Sequence, residues 1–275
     1  MASYVQTGPV TTWYEEHGDG EPLVLLHGGL VDSRFFEPNL KPLAERFHVY
    51  TPERRGYGHT ADVEGPITYQ LMTDDTITFL DQVIGGPADL VGHSDGAVVA
   101  MLIAIQRPDL VNRLVMISGG FDKSGEAVPD MEFDVEQVVQ FLGTSYGEVS
   151  PDGEAHFPVV AAKIGELMKE EPHEDIAELG KIRARSLVMF SDDDLMTLEH
   201  AVAMFDAIPG AEFAVVPGTS HFLTQEKPHL VNALVLDFLT NEPVPTVAPI
   251  RRAQKEALPQ PSGQARPAGE PVSSR

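Results

Sequence analysis

Short apolar runs alternate with longer stretches of helical periodicity through most of this chain. Six of the runs are apolar without alternation, which is typical of strands buried on both faces: residues 22–28, 47–53, 88–94, 111–118, 185–191 and 211–218. Helix-like stretches at about 36–46, 68–84, 96–106, 197–207 and 226–240 can connect neighbouring parallel strands. The pattern predicts an α/β fold with a mainly parallel β-sheet flanked by helices.

Two segments depart from this rhythm. Residues 10–18 alternate between apolar and polar positions, which favours a half-exposed edge strand. About 65 residues then separate the strand that ends at Ser118 from the one that starts near Ser186, more than one crossover helix needs. We expect 121–182 to form an inserted helical cap, or lid, above the strand ends, where open α/β sheets bind ligands.

Helices are predicted in the cap at 131–143 and 156–170, and residues 1–120 and 183–242 then form the core. Residues 243–275 contain seven prolines and few apolar side chains. Such a segment buries too little apolar surface to offset the entropy of ordering, so we expect a flexible C-terminal tail.

Charge and composition exclude several classes of function. The chain has 42 acidic and 19 basic residues and a net charge of −23, which argues against binding nucleic acid or an anionic membrane. No run reaches 18 apolar residues, and the N-terminus lacks the features of a signal peptide, so a cytoplasmic protein is expected. Because there is no cysteine, disulfides, thiolate metal sites and cysteine nucleophiles are excluded.

The sequence Gly92-His93-Ser94-Asp95-Gly96 follows an apolar strand and precedes a small, apolar helical run. A serine on a tight strand-to-helix turn needs nearly side-chain-free positions two residues before and after it, and Gly92 and Gly96 meet this need. The N-terminus of the following helix would direct backbone N–H groups at a developing oxyanion. The motif predicts that Ser94 is a nucleophile.

A serine nucleophile needs a base and an acid that orients the base. His221 follows the last apolar strand on a loop that contains Pro217 and Gly218, so it reaches the same edge of the sheet as Ser94. Three acid candidates follow the strand before it: Asp192, Asp193 and Asp194. The spacing leaves the choice among these three open.

Taken together, these motifs resemble those of the α/β-hydrolase superfamily over residues 10–240. His27-Gly28-Gly29 resembles the oxyanion loop of that family, and residues 52–60 resemble its D-x-R-G-x-G-x-S turn, with Glu53 and Thr60 as departures. Ser191-Asp-Asp-Asp194 resembles the G-x-x-D pattern of the family's catalytic acid, which selects Asp194 and leaves Asp192 as the alternative.

The resemblance implies roles for these residues. Ser94 would be the nucleophile, His221 the general base and then acid, and Asp194 the carboxylate that orients the imidazole. The backbone N–H groups of Asp95 and Gly29 would form the oxyanion hole, with Leu30 as the alternative to Gly29. Neither a metal nor an organic cofactor is implied.

Other residues have simpler interpretations. We expect His27 and His93 to hold loops, and His156, His173 and His200 to be too dispersed for a metal site. The Asp95 carboxylate is expected to turn away from the oxyanion hole toward backbone or solvent, and the alternative is that it attracts a cationic substrate group. Two or three of eight side chains are expected to touch substrate: Phe35, Phe36, Phe121, Met131, Phe133, Phe141, Phe157 and Met168.

The predicted function is a cofactor-independent serine hydrolase that acts on a small or medium ester or lactone in a covered pocket. The same triad could support carbon–carbon bond hydrolysis, perhydrolysis or acyl transfer, although the acidic cap disfavours the carboxylate-bearing substrates of carbon–carbon hydrolases. A ligand-binding protein with little turnover is the alternative outside enzymes. The expected partner is a small ester-like molecule, and the sequence leaves the oligomeric state open.

Overall fold

The computed structural model describes residues 1–128 and 133–250. In these two ranges, eight strands form one sheet: β1 (Ala2–Thr7), β2 (Val10–His17), β3 (Pro22–Leu26), β4 (His48–Pro52), β5 (Ala88–His93), β6 (Val111–Ile117), β7 (Arg185–Asp193) and β8 (Glu212–Ser220). Their spatial order is β1-β2-β4-β3-β5-β6-β7-β8. β2 pairs antiparallel with both β1 and β4, and all the later pairings are parallel. The predicted α/β class with a mainly parallel sheet is confirmed.

Within the described residues, eight α-helices connect or cover the strands: α1 (Glu37–Ala44), α2 (Tyr69–Phe79), α3 (Asp95–Gln106), α4 (Val135–Gly147), α5 (Phe157–Glu170), α6 (Leu198–Ala207), α7 (Leu223–Glu226) and α8 (Pro228–Thr240). The strand predicted at residues 10–18 is present as β2, but its predicted place at the edge of the sheet is wrong, because β1 lies outside it and is itself the edge. β1 has only six residues and alternates in burial, a weak signal next to the apolar runs.

The sheet separates two apolar cores. Successive residues of each central strand point to opposite faces, so Leu90 packs on one side with α3 and Val91 on the other with α8. The register aligns Leu25, Val91, Val115 and Leu187 across four neighbouring strands of the second face. Because the central strands are covered on both faces, they read as continuous apolar runs in the sequence.

The interval predicted to form the cap carries α4 and α5. The buried face of α5 presents Phe157, Val160, Ile164 and Leu167 to the same core as α3. α4 starts at Val135, four residues later than the helix predicted at 131–143, and ends at Gly147. Positions 131 and 132 lie outside the described residues.

Residues Met1–Asn241 form one compact unit that includes α4 and α5. Residues 242–250 lie outside this unit and contain no helix or strand. The rest of the predicted tail, 251–275, lies outside the described residues. Across the part of the chain that is described, none of the helices is both long and apolar enough to cross a bilayer.

Candidate active site

Ser94 stands at a sharp turn between β5 and α3. Its backbone has φ 53° and ψ −120°, in the left-handed range that side chains rarely adopt. A Cβ at Gly92 would collide with the carbonyl oxygen of Gly96, and a Cβ at Gly96 would collide with that of Leu26. The two glycines are therefore required by close backbone approach, and they let the turn raise Ser94 above the sheet edge.

His221 comes directly after β8 and lies beside Ser94. The distance from His221 Nε2 to Ser94 Oγ is 3.0 Å, and Asp194 Oδ1 lies 2.7 Å from His221 Nδ1. The Asp194 side chain is 1% exposed and that of His221 is 11% exposed. The structure thus brings the three predicted residues into one hydrogen-bonded chain, although they lie on three separate loops.

Asp194 lies in a dense set of donors. Besides His221, its oxygens accept hydrogen bonds from Ser118 Oγ (2.5 Å), from the N–H and Oγ of Ser191 (3.1 and 2.9 Å) and from the N–H of Leu195 (2.8 Å). Burial alone would raise the pKa of Asp194, but the hydrogen bond and charge of His221 and the other donors outweigh it and lower the pKa to about 2. The carboxylate is therefore charged throughout the neutral range.

Asp192, the alternative acid, has a different position. Its side chain accepts hydrogen bonds from the backbone N–H groups of Gly218 (2.7 Å) and Thr219 (3.2 Å), which lower its pKa. Asp193 pairs in register with Ser220 at the end of the sheet. The structure places Asp192 under the loop that carries His221 and leaves Asp194 as the acid in contact with the imidazole.

The backbone N–H groups predicted to form the oxyanion hole belong to Asp95 and Gly29. Asp95 is the first residue of α3, so its N–H has no partner within the helix, and neither it nor the N–H of Gly29 donates to another described residue. Leu30 follows with φ 60°. The choice between Gly29 and Leu30 as the second donor stays a prediction.

The Asp95 side chain contradicts the expectation that it turns away. It is 5% exposed, its Oδ1 accepts a 2.8 Å hydrogen bond from the Tyr69 hydroxyl, and its Oδ2 is buried without a partner among the described residues. A Cβ on Gly29 would collide with Oδ2. The carboxylate therefore faces the oxyanion loop, because Tyr69 at the start of α2 holds it there.

Two buried histidines hold the loops, as expected. His93 Nε2 lies 2.8 Å from the carbonyl oxygen of His221, and burial, together with the nearby His221, lowers the pKa of His93 to about 3. A neutral His93 therefore donates to that carbonyl and fixes the backbone of His221. His27 lies 2.8 Å from the Gly28 carbonyl, and burial also lowers its pKa, so it stays neutral in the oxyanion loop.

The two departures from the family's turn have structural roles. The Glu53 carboxylate is fully buried and accepts hydrogen bonds from the N–H of His59 and from both the N–H and Oγ of Ser33. Thr60 Oγ donates to the Glu53 carbonyl and accepts from the N–H of Trp13. These bonds fix the turn beneath the residues that follow the oxyanion loop.

A cavity of about 780 Å³ opens above Ser94 and His221, within the usual range for small-molecule sites. Of the eight side chains expected near substrate, Phe133 and Met168 line this cavity. Phe35 and Phe157 line a smaller neighbouring cavity, and Phe141 is 77% exposed. Phe36 and Phe121 belong to the apolar cores, and Met131 lies outside the described residues.

Polar tethers join α4, α5 and the loop between them to the core beside the cavity. The buried Asp62 carboxylate accepts hydrogen bonds from Lys163 (2.8 Å) and His156 (2.9 Å). On another side, the Arg34 guanidinium contacts Glu148 (3.0 Å) and the Ser145 carbonyl (2.9 Å). These contacts attach α4, α5 and the loop between them to the core at two places.

Sequence reasoning missed several residues of the site. Ser118 follows β6 with φ 53°, and its hydroxyl binds Asp194; its position at the end of a central strand was a usable signal. Tyr69 had no such signal, because its contact with Asp95 depends on where α2 begins. Within residues 1–128 and 133–250, no group of three or more His, Asp or Glu side chains is arranged to hold a metal ion.

Comparison with known proteins agrees with this geometry. Residues 23–234 match the model of the alpha/beta hydrolase family. The chain belongs to that family. The turn that carries Ser94 and the loops that carry Asp194 and His221 therefore lie at the edge of the sheet where this fold ordinarily has its active site.

The relatives are named as hydrolases of different substrates. A protein from Caulobacter sp. named carbamate hydrolase RutD is 28% identical over 86% of this chain and 99% of its own length. The (E)-2-((N-methylformamido)methylene)succinate hydrolase of Acinetobacter baylyi is 30% identical, but the match spans 42% of this chain and 44% of that protein. Among solved structures, a serine hydrolase of carbazole degradation superposes with a TM-score of 0.74 at 22% identity, covering 87% of this chain and 98% of that one.

Proposed function

We propose that this hydrolase-family protein is a serine hydrolase that cleaves a small or medium carboxylic ester or lactone through an acyl-enzyme intermediate. The observation that carries the proposal is the hydrogen-bonded chain from Ser94 through His221 to Asp194 at the floor of the cavity. A serine hydroxyl becomes a competent nucleophile when an oriented base accepts its proton, and this chain supplies both base and orienting acid.

In the first half-reaction, Ser94 Oγ attacks the ester carbonyl carbon and its proton moves to His221 Nε2. The N–H groups of Asp95 and Gly29 stabilise the negative charge on the carbonyl oxygen. The tetrahedral intermediate then collapses, the bond to the leaving oxygen breaks, and His221 protonates that oxygen. In a lactone the leaving hydroxyl stays attached to the acyl group.

In the second half-reaction, His221 removes a proton from water and the resulting hydroxide attacks the acyl-enzyme. The second intermediate collapses with return of the proton to Ser94 Oγ, and the carboxylic acid product leaves. Asp194 stays ionised throughout, because its pKa is about 2, and it stabilises the imidazolium that forms in each half-reaction.

The other chemistries of this triad receive less support. A carbon–carbon hydrolase that binds a substrate carboxylate needs cationic groups in the pocket, whereas the cavity wall carries the acids Asp95, Glu126, Asp134, Glu166 and Glu171. The name of the Caulobacter relative gives a specific reason to include a carbamate among the substrates tested.

The experiment measures initial rates on p-nitrophenyl esters from acetate to octanoate, a neutral lactone and a carbamate ester, with wild-type protein and Ser94→Ala. We expect turnover by wild type and a loss of about 10³-fold or more in the variant, with the same circular dichroism spectrum. Labelling by a fluorophosphonate should require Ser94. A wild-type protein that neither turns over the panel nor is labelled would contradict the proposal.

A further inference from the structure

One side chain in the cavity wall has a hydrogen-bonding requirement that the protein itself does not meet. Asp95 is 5% exposed and next to the nucleophile in sequence. Tyr69 donates to its Oδ1, while Oδ2 has no donor among the described residues. A carboxylate oxygen can accept about two hydrogen bonds, and leaving it unpaired away from water is unfavourable. An unfilled acceptor of this kind points to a ligand.

The buried cation Arg54 does not donate a hydrogen bond to this oxygen. Arg54 is fully enclosed, and its charge interacts with that of Asp95. Its Nη2 nevertheless donates to the Gly28 carbonyl (3.0 Å) and lies 3.2 Å from His27 Nδ1. Arg54 thus contacts the oxyanion loop and donates to neither oxygen of Asp95.

The rest of the cavity wall favours a positive ligand. Four further carboxylates line it: Glu126, Asp134, Glu166 and Glu171. The described wall has two lysines, Lys123 and Lys169, and Nζ of the first donates to the carbonyl of the second at 2.6 Å. With five acids against two lysines, the wall attracts cations and repels carboxylates.

The position of Asp95 Oδ2 decides which part of the substrate it meets. It is directed at Gly29, one of the proposed oxyanion donors, and Cε of Met168 approaches the same glycine. A group that reaches Oδ2 therefore lies beside a carbonyl whose oxygen occupies the proposed oxyanion hole. Met168 is unbranched and flexible, so it can move aside for such a group.

We propose that Asp95 is a specificity residue that binds a protonated amine on the α- or β-carbon of the acyl group, so that the substrates are esters of amino acids or similar amino acyl compounds. This inference rests on the proposed ester hydrolase function. The ammonium donates to Asp95 Oδ2 while the adjacent carbonyl oxygen enters the oxyanion hole, so the two contacts fix the carbonyl against Ser94.

The test compares benzyl esters that differ at one group: alanine, lactate and 2-methylpropanoate, which place an ammonium, a hydroxyl and a methyl on the same carbon. The β-substituted pair is 3-aminopropanoate and butanoate. We expect wild type to prefer an amino ester over its methyl counterpart by about 10- to 100-fold in kcat/KM, the range of one hydrogen bond to a charged group. Asp95→Asn keeps the shape and should reduce this ratio to about 1.

The matched control is Glu166→Gln, which removes the same charge from an exposed position in the same cavity wall. If Asp95 acts through direct contact, this variant should change the preference by less than about fivefold. Equal reductions in the two variants would assign the preference to the general field of the cavity and overturn the proposed contact. An equal rate for the lactate ester and the alanine ester would overturn the cationic substrate class.

Binding can be measured without turnover in Ser94→Ala by calorimetry with the same esters. We expect the alanine ester to bind about tenfold or more tightly than the 2-methylpropanoate ester, and the added Asp95→Asn change to remove the difference. Serine-dependent hydrolysis of neutral esters with no preference for amines would overturn this inference and leave the proposed function intact. Tight amine binding without hydrolysis of any ester would contradict the proposed function instead.

Discussion

Replacing Asp194 with asparagine tests the assignment of the acid most directly. The carboxylate lies 2.7 Å from His221 Nδ1 and is almost fully enclosed. With about 4 Å between charge centres and an effective dielectric constant of about 20, it lowers the energy of the imidazolium by about 4 kcal/mol. The neutral amide does not provide this stabilisation of the imidazolium, so we expect kcat/KM to fall by about 10³-fold.

The asparagine also disturbs the surrounding hydrogen bonds. If the asparagine NH₂ group takes the place of Oδ1, it faces the N–H of Leu195 and forces the opposite tautomer of the His221 imidazole. If it takes the place of Oδ2, it faces the N–H of Ser191. Either orientation leaves a buried donor without an acceptor, at about 1 to 3 kcal/mol of stability. A lower Tm should therefore accompany the loss of activity.

Asp192→Asn is the matched control for this measurement. Its side chain is exposed and accepts from two backbone N–H groups, which the asparagine carbonyl oxygen can continue to do. We expect less than about a tenfold loss in kcat/KM on the best ester of the panel. A tenfold or smaller loss in Asp194→Asn, or an equal loss in both variants, would refute the assignment of the acid.

Three further predictions concern the oxyanion loop, a buried carboxylate and the cap. Gly29→Ala should lower kcat by about tenfold or more, because its Cβ would collide with the neighbouring carboxylate, whereas Gly86→Ala, in open space, should not change the rate on p-nitrophenyl acetate. Burial raises the pKa of Asp89 to about 6, so its protonated form is favoured on folding; that stabilisation is complete below about pH 4 and is lost as the pH rises through 6. Between pH 4 and pH 7, the free energy of unfolding measured by chemical denaturation should fall by about 2 to 3 kcal/mol more in wild type than in Asp89→Asn. Equal decreases in the two proteins would contradict this prediction. Asp62→Asn should lower the free energy of unfolding by about 1 to 3 kcal/mol and speed proteolysis between α4 and α5. The control Lys181→Met, at an exposed ion pair, should lower it by less than about 1 kcal/mol. A larger loss in the control than in Asp62→Asn would exclude Asp62 as a tether of the cap.

The sheet could be predicted from the sequence because its central strands are buried on both faces. That burial produces continuous apolar runs, and glycines or acids at the strand ends mark their limits. β1 was not predicted, because a six-residue strand at the edge is only half buried and its pattern resembles that of an exposed loop. Periodicity placed α5 to within one residue, whereas α4 begins later than its apolar pattern suggested, at a position where Asp134 caps it.

In the candidate site too, some features could be predicted from the sequence and others could not. The nucleophile turn is set by neighbours in sequence, so Gly92, Ser94 and Gly96 could be recognised directly. The acid could not be chosen by spacing alone, because Asp192 and Asp194 follow the same strand and only the path of β8 decides which of them meets His221. The direction of the Asp95 side chain was predicted wrongly, since it depends on a hydroxyl 26 residues away on a separate helix.

Three residues other than glycine have a positive φ in the described structure, and all three border this site: Leu30, Ser94 and Ser118. For an L-residue, each such conformation is about 1 to 2 kcal/mol less favourable than the right-handed one. A screen for thermostable variants would therefore favour glycine or asparagine at positions 30 and 118. Those substitutions would also loosen the oxyanion loop or remove a donor to Asp194, so heat resistance and turnover oppose each other at these positions. Engineering for durability should begin elsewhere, on surfaces where the backbone is already relaxed.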